Sequence, residues 1–377
     1  MKRTALALAL IFAGPSLGQV QKYGGTWGLL LYVLSVFGFW GLASGFLHRW
    51  GGKLPERWIH GFAAATGSVL LLAFLVLYPL ADSGIIGGGS DRDDALNLGV
   101  GELLHGRCPY HVTTYLGNPI APLPGGLFLS LPFVLLGNSA YQNFFWLAIF
   151  FFLAHQILRE GRQALLLLWS LLAFSPVLLQ QIITGGDLPA NSIAVLVFSW
   201  LLIGAPERWK WAAAPLLGLG LAWRVHFLLL LPLLFALLRR EVGGKMALGL
   251  MGLVLGTFSG IVLPFARHAP HGVAPFLEQN KFARFDEAFP HVSLFVLLAA
   301  WGYAFIRSRA STDVIGFFRE SARVLAFPIA CGLILATLRA GQLDVHLADY
   351  GVSFLFFGAL AWWKSFVGEL PDRESSS

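Results

Sequence analysis

Long apolar runs separated by short polar turns constrain this chain more than any other feature. They fall near 27–47, 58–81, 123–137, 139–158, 164–183, 188–205, 212–238, 246–265, 290–306, 322–338 and 347–363. Apolar runs of about 17–25 residues match the helix length that crosses a bilayer core. A chain in that core must satisfy its own backbone hydrogen bonds, which leaves helices or closed barrels. The strand alternation of an outer-membrane barrel is absent. Only 12% of the 377 residues are charged, about half the share of a soluble domain, and the mean hydropathy is +0.70. The fold class expected is therefore an all-α polytopic membrane protein.

In such a chain the basic residues report topology, not nucleic-acid binding, despite a pI near 9.5. Placing Arg49, Arg57, Arg159, Arg162, Arg208, Lys210, Arg239, Arg240, Arg307, Arg309, Arg319, Arg323 and Lys364 in the cytoplasm puts 82–122, 266–289, 339–346 and the turn TGGD at 184–187 outside. The membrane is then the plasma (inner) membrane, with the polar loops on its extracytoplasmic face. Two runs resist this sorting. Both ends of 212–238 carry cytoplasmic-type charge, and Arg224 and His226 sit in its middle, so it is either a broken or re-entrant pair of half-helices or one long tilted helix. The run 123–137 is short and interrupted by Pro132, so a full crossing is doubtful on length. The N-terminus, with Lys2 and Arg3 before a short apolar run and small residues, fits either a signal peptide cut after Gly18 or a first helix. Residues 1–25 are set apart on that basis, 26–366 form one transmembrane domain, and 367–377 form a cytoplasmic tail. Cys108 and Cys331 lie far apart in sequence, which argues against a disulfide framework.

One outer segment is unlike the rest: SDRDDALNLGVGELLHGRCPYHVTTYLGNPIAPLPG, residues 90–125. Ser90 or Asp91 is a natural N-cap, Asp93 and Asp94 fall in the first turn, and Gly106 and Pro109 supply a stop. Residues 91–105 thus form a helix, with Leu96, Val100, Leu103 and Leu104 on one face, fit to lie at the outer membrane surface. At 100° per residue Asp93 lies beside that face, Asp94 at its edge, and Asp91 points away. Capping and the helix dipole explain one or two acids. A carboxylate turned toward the membrane side needs water, a cation or a substrate.

These residues resemble the GT-C superfamily of integral-membrane glycosyltransferases. The similarity rests on an outer loop opening acid–acid–Ala–Leu, then ELLHGRCPY, then the Pro-rich GNPIAPLPGGLFLSLPFVLLGNSAYQN. SPVLLQQIITGGDLPAN and GLGLAWRVHFLLLLPLL resemble later segments. Three departures stand out. Asp94 replaces a Glu, the spacing from Asp93 to Gly106 is one residue short, and the run 27–47 precedes the usual first helix. The resemblance implies a bundle of about 10–12 transmembrane helices with an extracytoplasmic amphipathic helix. It also implies transfer of a sugar, mannose-like, from a polyprenyl-phosphate donor to a glycan, lipid or protein acceptor. Asp93 would then be the general base, Asp94 its helper and Asp91 the rival position.

Physical chemistry fits that expectation. An acceptor hydroxyl needs a base in the transition state, and a leaving phosphate needs a cation. Arg224 is the first candidate, because a guanidinium in an apolar run requires an anionic partner and its fork suits phosphate. Lys281 and Arg284 come second, and an ion pair of Arg224 with Asp187 is the plainer alternative. His226, Tyr110 and Asn118 complete the candidate substrate contacts, although Tyr110 also reads as an interfacial aromatic and Asn118 as a helix cap. A divalent cation is possible in principle, but no tight ligand spacing specifies one. The competing class is a lipid or solute transporter, or flippase, with Arg224 and Asp187 in the translocation path. The topology makes a direct prediction: a cysteine replacing Asn118 should react with an impermeant thiol reagent from outside, and one replacing Ala310 should not. Reversed labelling would overturn the assignment.

Overall fold

The structure, a computed structural model, describes residues 2–51, 55–83, 91–268 and 281–369. Ser90, His271 and the tail beyond Glu369 lie outside the described residues. The helices are α1 (Lys2–Ala13), α2 (Leu17–Gly51), α3 (Ile59–Asp82), α4 (Arg92–Leu104), α5 (Pro124–Leu135), α6 (Gln142–Leu158), α7 (Gly161–Phe174) and α8 (Pro176–Ile183). They continue with α9 (Leu188–Gly204), α10 (Glu207–Leu221), α11 (Leu231–Val242), α12 (Gly244–His268), α13 (Val292–Ser308), α14 (Val314–Ala340) and α15 (Val352–Gly368). Among the described residues the only extended pairing is an isolated bridge, Thr113 to Pro119. Among the described residues six helical segments are long and apolar enough to cross a membrane, or seven if the bent pair α7–α8 counts as one. The protein is thus an all-α, multi-pass membrane protein, as its apolar runs require.

The chain runs between two ends of different chemistry. At the basic end Lys210 donates to the carbonyls of Leu202 and Ile203 and pairs with Glu241 at 3.5 Å. Arg240 donates to the carbonyls of Ser311 (2.8 Å) and Arg309 (3.0 Å), and Arg162 pairs with Glu56 at 3.1 Å. Glu320, buried, holds both Arg307 (2.5 Å) and Arg323 (2.6 Å). That triple lets α14 begin at Val314, eight residues before its apolar run, because the charges are neutralised within the helix packing. The opposite end, here the site end, gathers α4, the turn 184–187 and the segment 341–351.

Both awkward runs resolve by physical causes visible in the sequence. In 212–238 the helix breaks. Arg224 is extended (φ −144°, ψ 125°) and a 3₁₀ turn, Val225–Leu230, leads into α11. Lys210 near the start of α10 and Glu241 near the end of α11 meet at the basic end, so the break lies at the site end. At 1.5 Å per residue α10 is about 22 Å long and α11 about 18 Å, two short helices folded back on each other instead of one long tilted helix. The run 123–137 does not cross. Leu123 and Gly125 donate backbone bonds to Trp223 and Ala222 at one end of α5, and Ser139 just past its other end donates to Asn97 and Asp93. A 12-residue helix with both ends among site-end residues is re-entrant. The run 164–183 is also broken, by 87° at Ser175, where the following Pro176 forces its neighbour out of helical geometry.

The N-terminal run is built into the bundle. Leu8 and Phe12 are fully buried, Phe12 stacks on Trp40 at 5.3 Å, and Thr4 donates to Glu369 at 2.5 Å. Residues 2–13 form a helix packed on α15. α2 starts at Leu17, ten residues before its apolar run, and turns sharply at Gly25 (φ 60°, ψ −165°).

The start of α5 packs tightly against the backbone at the end of α10. A Cβ on Gly125 would lie 2.4 Å from the Leu219 carbonyl oxygen and 2.7 Å from that of Ala222. Backbone cannot move aside as a flexible side chain can. Gly125→Ala should therefore lower stability by about 1–3 kcal/mol through overpacking. Gly260→Ala, where nothing lies within 4 Å, should be close to neutral. Thermal unfolding of both variants in the same detergent checks this.

Candidate functional site

The first turn of α4 places four charged residues in four different surroundings. Asp91 is at the N-cap position but makes no capping bond. Its Oδ2 accepts from Thr114 Oγ1 (2.6 Å) and Asn118 Nδ2 (2.7 Å), tying the loop 113–118 to the helix. Asn118 is therefore a partner of Asp91, not a cap; α5 begins after Leu123 with no side-chain cap at all. Asp94 accepts from the Tyr115 backbone N–H at 3.0 Å.

Asp93 is 3% exposed. It accepts from the Tyr78 hydroxyl on α3, and Tyr78 accepts in turn from Asn138 Nδ2 at 2.8 Å. Ser139 Oγ donates to the Asp93 carbonyl at 3.2 Å. Gly185, in left-handed backbone (φ 72°), approaches so closely that a Cβ there would lie 3.0 Å from the Asp93 Cβ. This corrects the sequence expectation. The apolar face of α4, with Leu96 and Val100 fully buried, turns into the bundle and not toward lipid. Asp93, beside that face, goes in with it. Asp91, pointing away from it, borders open space.

Two cavities lie beside this turn. One is a narrow slot of about 120 Å³ walled by apolar residues such as Leu188, Leu325, Ile329 and Leu347, with Arg224, His226 and Lys281 as its basic side chains. The other is a wide polar basin of about 610 Å³, lined by Asp91, Arg92, Lys22, Asp344, His346 and Asp349 together with Gln19, Gln21, Gln180, Gln181 and Gln342. The 3₁₀ turn His346–Gly351 separates them. Side chains three apart eclipse in such a turn, so Leu347 and Tyr350 face the slot while His346 and Asp349 face the basin. Arg92 bridges the two. It donates to Gln181 at 2.9 Å and lies over the Tyr350 ring at 5.7 Å.

Arg224 does pair with Asp187, Nη2 at 2.6 Å and Nε at 3.2 Å, both to Oδ2. Trp223 Nε1 donates to the same oxygen at 3.1 Å. Asp187 is fully buried and Arg224 keeps 12% of its side chain exposed in the slot. The pairing and the slot-lining position coexist. Removing Arg224 would strand a buried carboxylate, at a cost of about 3–5 kcal/mol, so a variant lacking it tests folding as much as binding. His226 lies against Phe227, ring centroids 4.4 Å apart and tilted by 36°, and also lines the slot.

Other sequence candidates have structural partners. Tyr110 is 9% exposed, donates to the Pro122 carbonyl at 3.0 Å and meets Phe265 edge-on. It is a loop anchor, not an interfacial aromatic, and burial pushes its phenol pKa up. Arg284 lines neither cavity. It lies over Phe285 at 5.0 Å and donates to His346 Nε2 at 2.6 Å. Because a guanidinium only donates, Nε2 is the accepting nitrogen and Nδ1 carries the proton given to Asp344. Burial works against the Asp344 charge, but the His346 ring and backbone bonds together with the nearby Arg284 hold its carboxyl below the usual range. Among the described residues no three His, Cys, Asp or Glu side chains come together as a metal site.

Arg92 and the glutamines were not singled out from sequence. Arg92 did carry a signal, since a cation in the first turn opposes the helix dipole and so calls for another partner. The glutamines carried none, being scattered over three segments.

With the fold and site described, the class is that of a helical multi-pass membrane protein with paired amphiphilic cavities at one end. Comparison with protein-family models, with curated proteins and with solved structures returns no match.

The Asp93–Tyr78 contact is expected to be a positioning interaction. Asp93→Asn and Tyr78→Phe should each destabilise the protein by about 1–3 kcal/mol. The double variant should lose less than the sum, because the two share one network. A double-mutant cycle on thermal unfolding checks this; strict additivity would separate the two residues.

Proposed function

We propose that the protein is a membrane glycosyltransferase that moves a sugar, mannose-like, from a polyprenyl-phosphate donor to an acceptor hydroxyl on the extracytoplasmic face of the plasma (inner) membrane. The observation that carries this reading is the apolar slot with Arg224 and Lys281 set against a polar basin across one 3₁₀ turn. A polyprenyl-phosphate sugar has the same order of parts: an apolar chain, an anion, then a polyol. The lipid chain would occupy the slot, its phosphate would meet Lys281 and the exposed part of Arg224, and the sugar would reach the basin near Arg92 and Tyr350. The likeness of the acid–acid–Ala–Leu segment to GT-C glycosyltransferases points the same way.

In this reading Asp91 takes the role of general base, in place of Asp93. Asp91 lines the basin next to Arg92, and both of its protein hydrogen bonds fall on Oδ2. The acceptor oxygen attacks the anomeric carbon and its proton passes to Asp91. The bond from that carbon to the phosphate oxygen breaks, and polyprenyl phosphate leaves with the electron pair. One displacement of this kind inverts the anomeric centre. Asp93 holds α4 in place, and Asp94 holds the loop at Tyr115 that carries the Asp91 partners.

Incubation of the purified protein with labelled polyprenyl-phosphate sugars and candidate acceptors should yield a new glycosidic product. Movement of label across the membrane without a new bond would instead support the lipid or solute transporter, with Arg224 and Asp187 in its path. At matched folded protein, Asp91→Asn should reduce transfer about 10²–10⁴-fold, the usual scale for loss of a general base, while Asp94→Asn keeps most of it. An Asp91→Asn variant that transfers at the unmodified rate would remove Asp91 from the chemistry. Lys281→Gln should weaken donor binding without the folding penalty of changing Arg224.

A further inference from the structure

We infer that the polar basin is the acceptor subsite and that it takes a neutral oligosaccharide. This rests on the glycosyltransferase reading and goes further, because that reading leaves a glycan, a lipid and a protein equally open as acceptors.

Three features of the basin select the class. The first is its amides. Five of the nine glutamines in the chain line it. They come from the start of α2, from the end of α8 and from the segment that follows α14. An amide offers two donors and an acceptor without charge, which matches a surface of hydroxyl groups, each both donor and acceptor. Gln342 is exposed and Gln180 is half-buried; Gln180 Oε1 accepts from Gln181 Nε2 at 3.3 Å, which leaves its amide nitrogen for a ligand. Gln21 and Gln181 are already engaged, with Leu343 and Val345 and with Arg92 respectively, and shape the walls.

The second feature is charge. The lining holds Lys22 and Arg92 against Asp91, Asp344 and Asp349. His346 is engaged between Arg284 and Asp344. With no net positive charge, the basin does not favour a polyanion such as a phosphosugar, a nucleotide or a uronic-acid polymer. The cations suited to an anion, Lys281 and Arg224, face the slot across the wall instead.

The third feature is size. At about 610 Å³ the basin falls within the range of about 300–1,000 Å³ that holds a drug-sized ligand, so it has room for a short run of sugar units. Its lining is polar apart from Leu343, Ala340 and Gly18. A lipid acceptor would find no apolar wall there, and a peptide would find none of the apolar pockets that fix side chains.

The test uses the full chain in nanodiscs without donor, so that binding is read independently of transfer. Saturation-transfer NMR is recorded with neutral linear oligosaccharides of two to six hexoses, a uronic-acid oligomer of equal length, and an unstructured Ser/Thr-rich peptide. The neutral oligosaccharides should bind, with affinity rising beyond the disaccharide, and the other two should not. The double change Gln180→Leu and Gln342→Leu should weaken that binding about tenfold, the loss of two hydrogen bonds. Gln342→Leu alone, at an exposed position, serves if the double variant does not fold, and should weaken it about threefold. Gln156→Leu, exposed and remote from the basin, should leave it unchanged. Preferential binding of the peptide or the uronic-acid oligomer, or oligosaccharide binding insensitive to both Gln variants, overturns the inference. The two readings fail separately. Oligosaccharide binding at the basin with no transfer product removes the glycosyltransferase reading and keeps the neutral-glycan site. Transfer to a peptide or lipid with no oligosaccharide binding does the reverse.

Discussion

The buried pair of Asp187 and Arg224 is the interaction on which the site end depends. Asp187 closes the tight turn between α8 and α9, and Arg224 stands at the break between α10 and α11. Their bond, with Trp223 donating to the same carboxylate oxygen, fixes the break to the turn. The backbone of Trp223 and Ala222 then receives the start of α5 through Leu123 and Gly125. All three bonds fall on Oδ2, while the buried Oδ1 has no partner among the described residues, so the pair is held through one oxygen. The break is therefore anchored, and with it one wall of the slot.

A single 3₁₀ turn then divides the space. In an α-helix, residues 346–351 would spread their side chains over a wider arc. With three residues per turn they form rows, so one row serves the apolar slot and the next the polar basin. Arg92 reaching across to Tyr350 marks where the two compartments meet. An amphiphilic substrate with its anion near that junction suits this partition, which is why the donor and acceptor readings assign it as two subsites of one reaction.

The three acids of α4 show how environment, not residue type, sets a role. Asp93 lies against Gly185 and Tyr78 and positions the helix. Asp94 holds the Tyr115 backbone. Asp91 is held on one oxygen while bordering the basin. Glu102, by contrast, is a half-buried partner of the exposed Arg107, whose hydrogen bond lowers its pKa, and it lines neither cavity.

The sequence by itself determined the helical membrane class, the helix at 91–105 with its Gly106 stop, and the pairing of Lys and Arg residues at one end. Each follows from properties local to a segment: apolar length, capping chemistry, or charge next to a run. It also marked the break at Arg224 and the short run at Pro132 as places where one rule contradicted another. Only the tertiary structure decided which way those conflicts fell, because the answer lay in contacts such as Lys210 with Glu241 and Ser139 with Asp93, far apart in the chain. It also placed Asp93 inside the bundle and Asp91 at the basin. Helical angle gives a residue's direction relative to its own apolar face, but whether that face meets lipid or protein depends on what packs against it. The basin was invisible for the same reason: its glutamines, Lys22 and Arg92 come from separate helices, and a neutral amide has no pattern until folding gathers it with others.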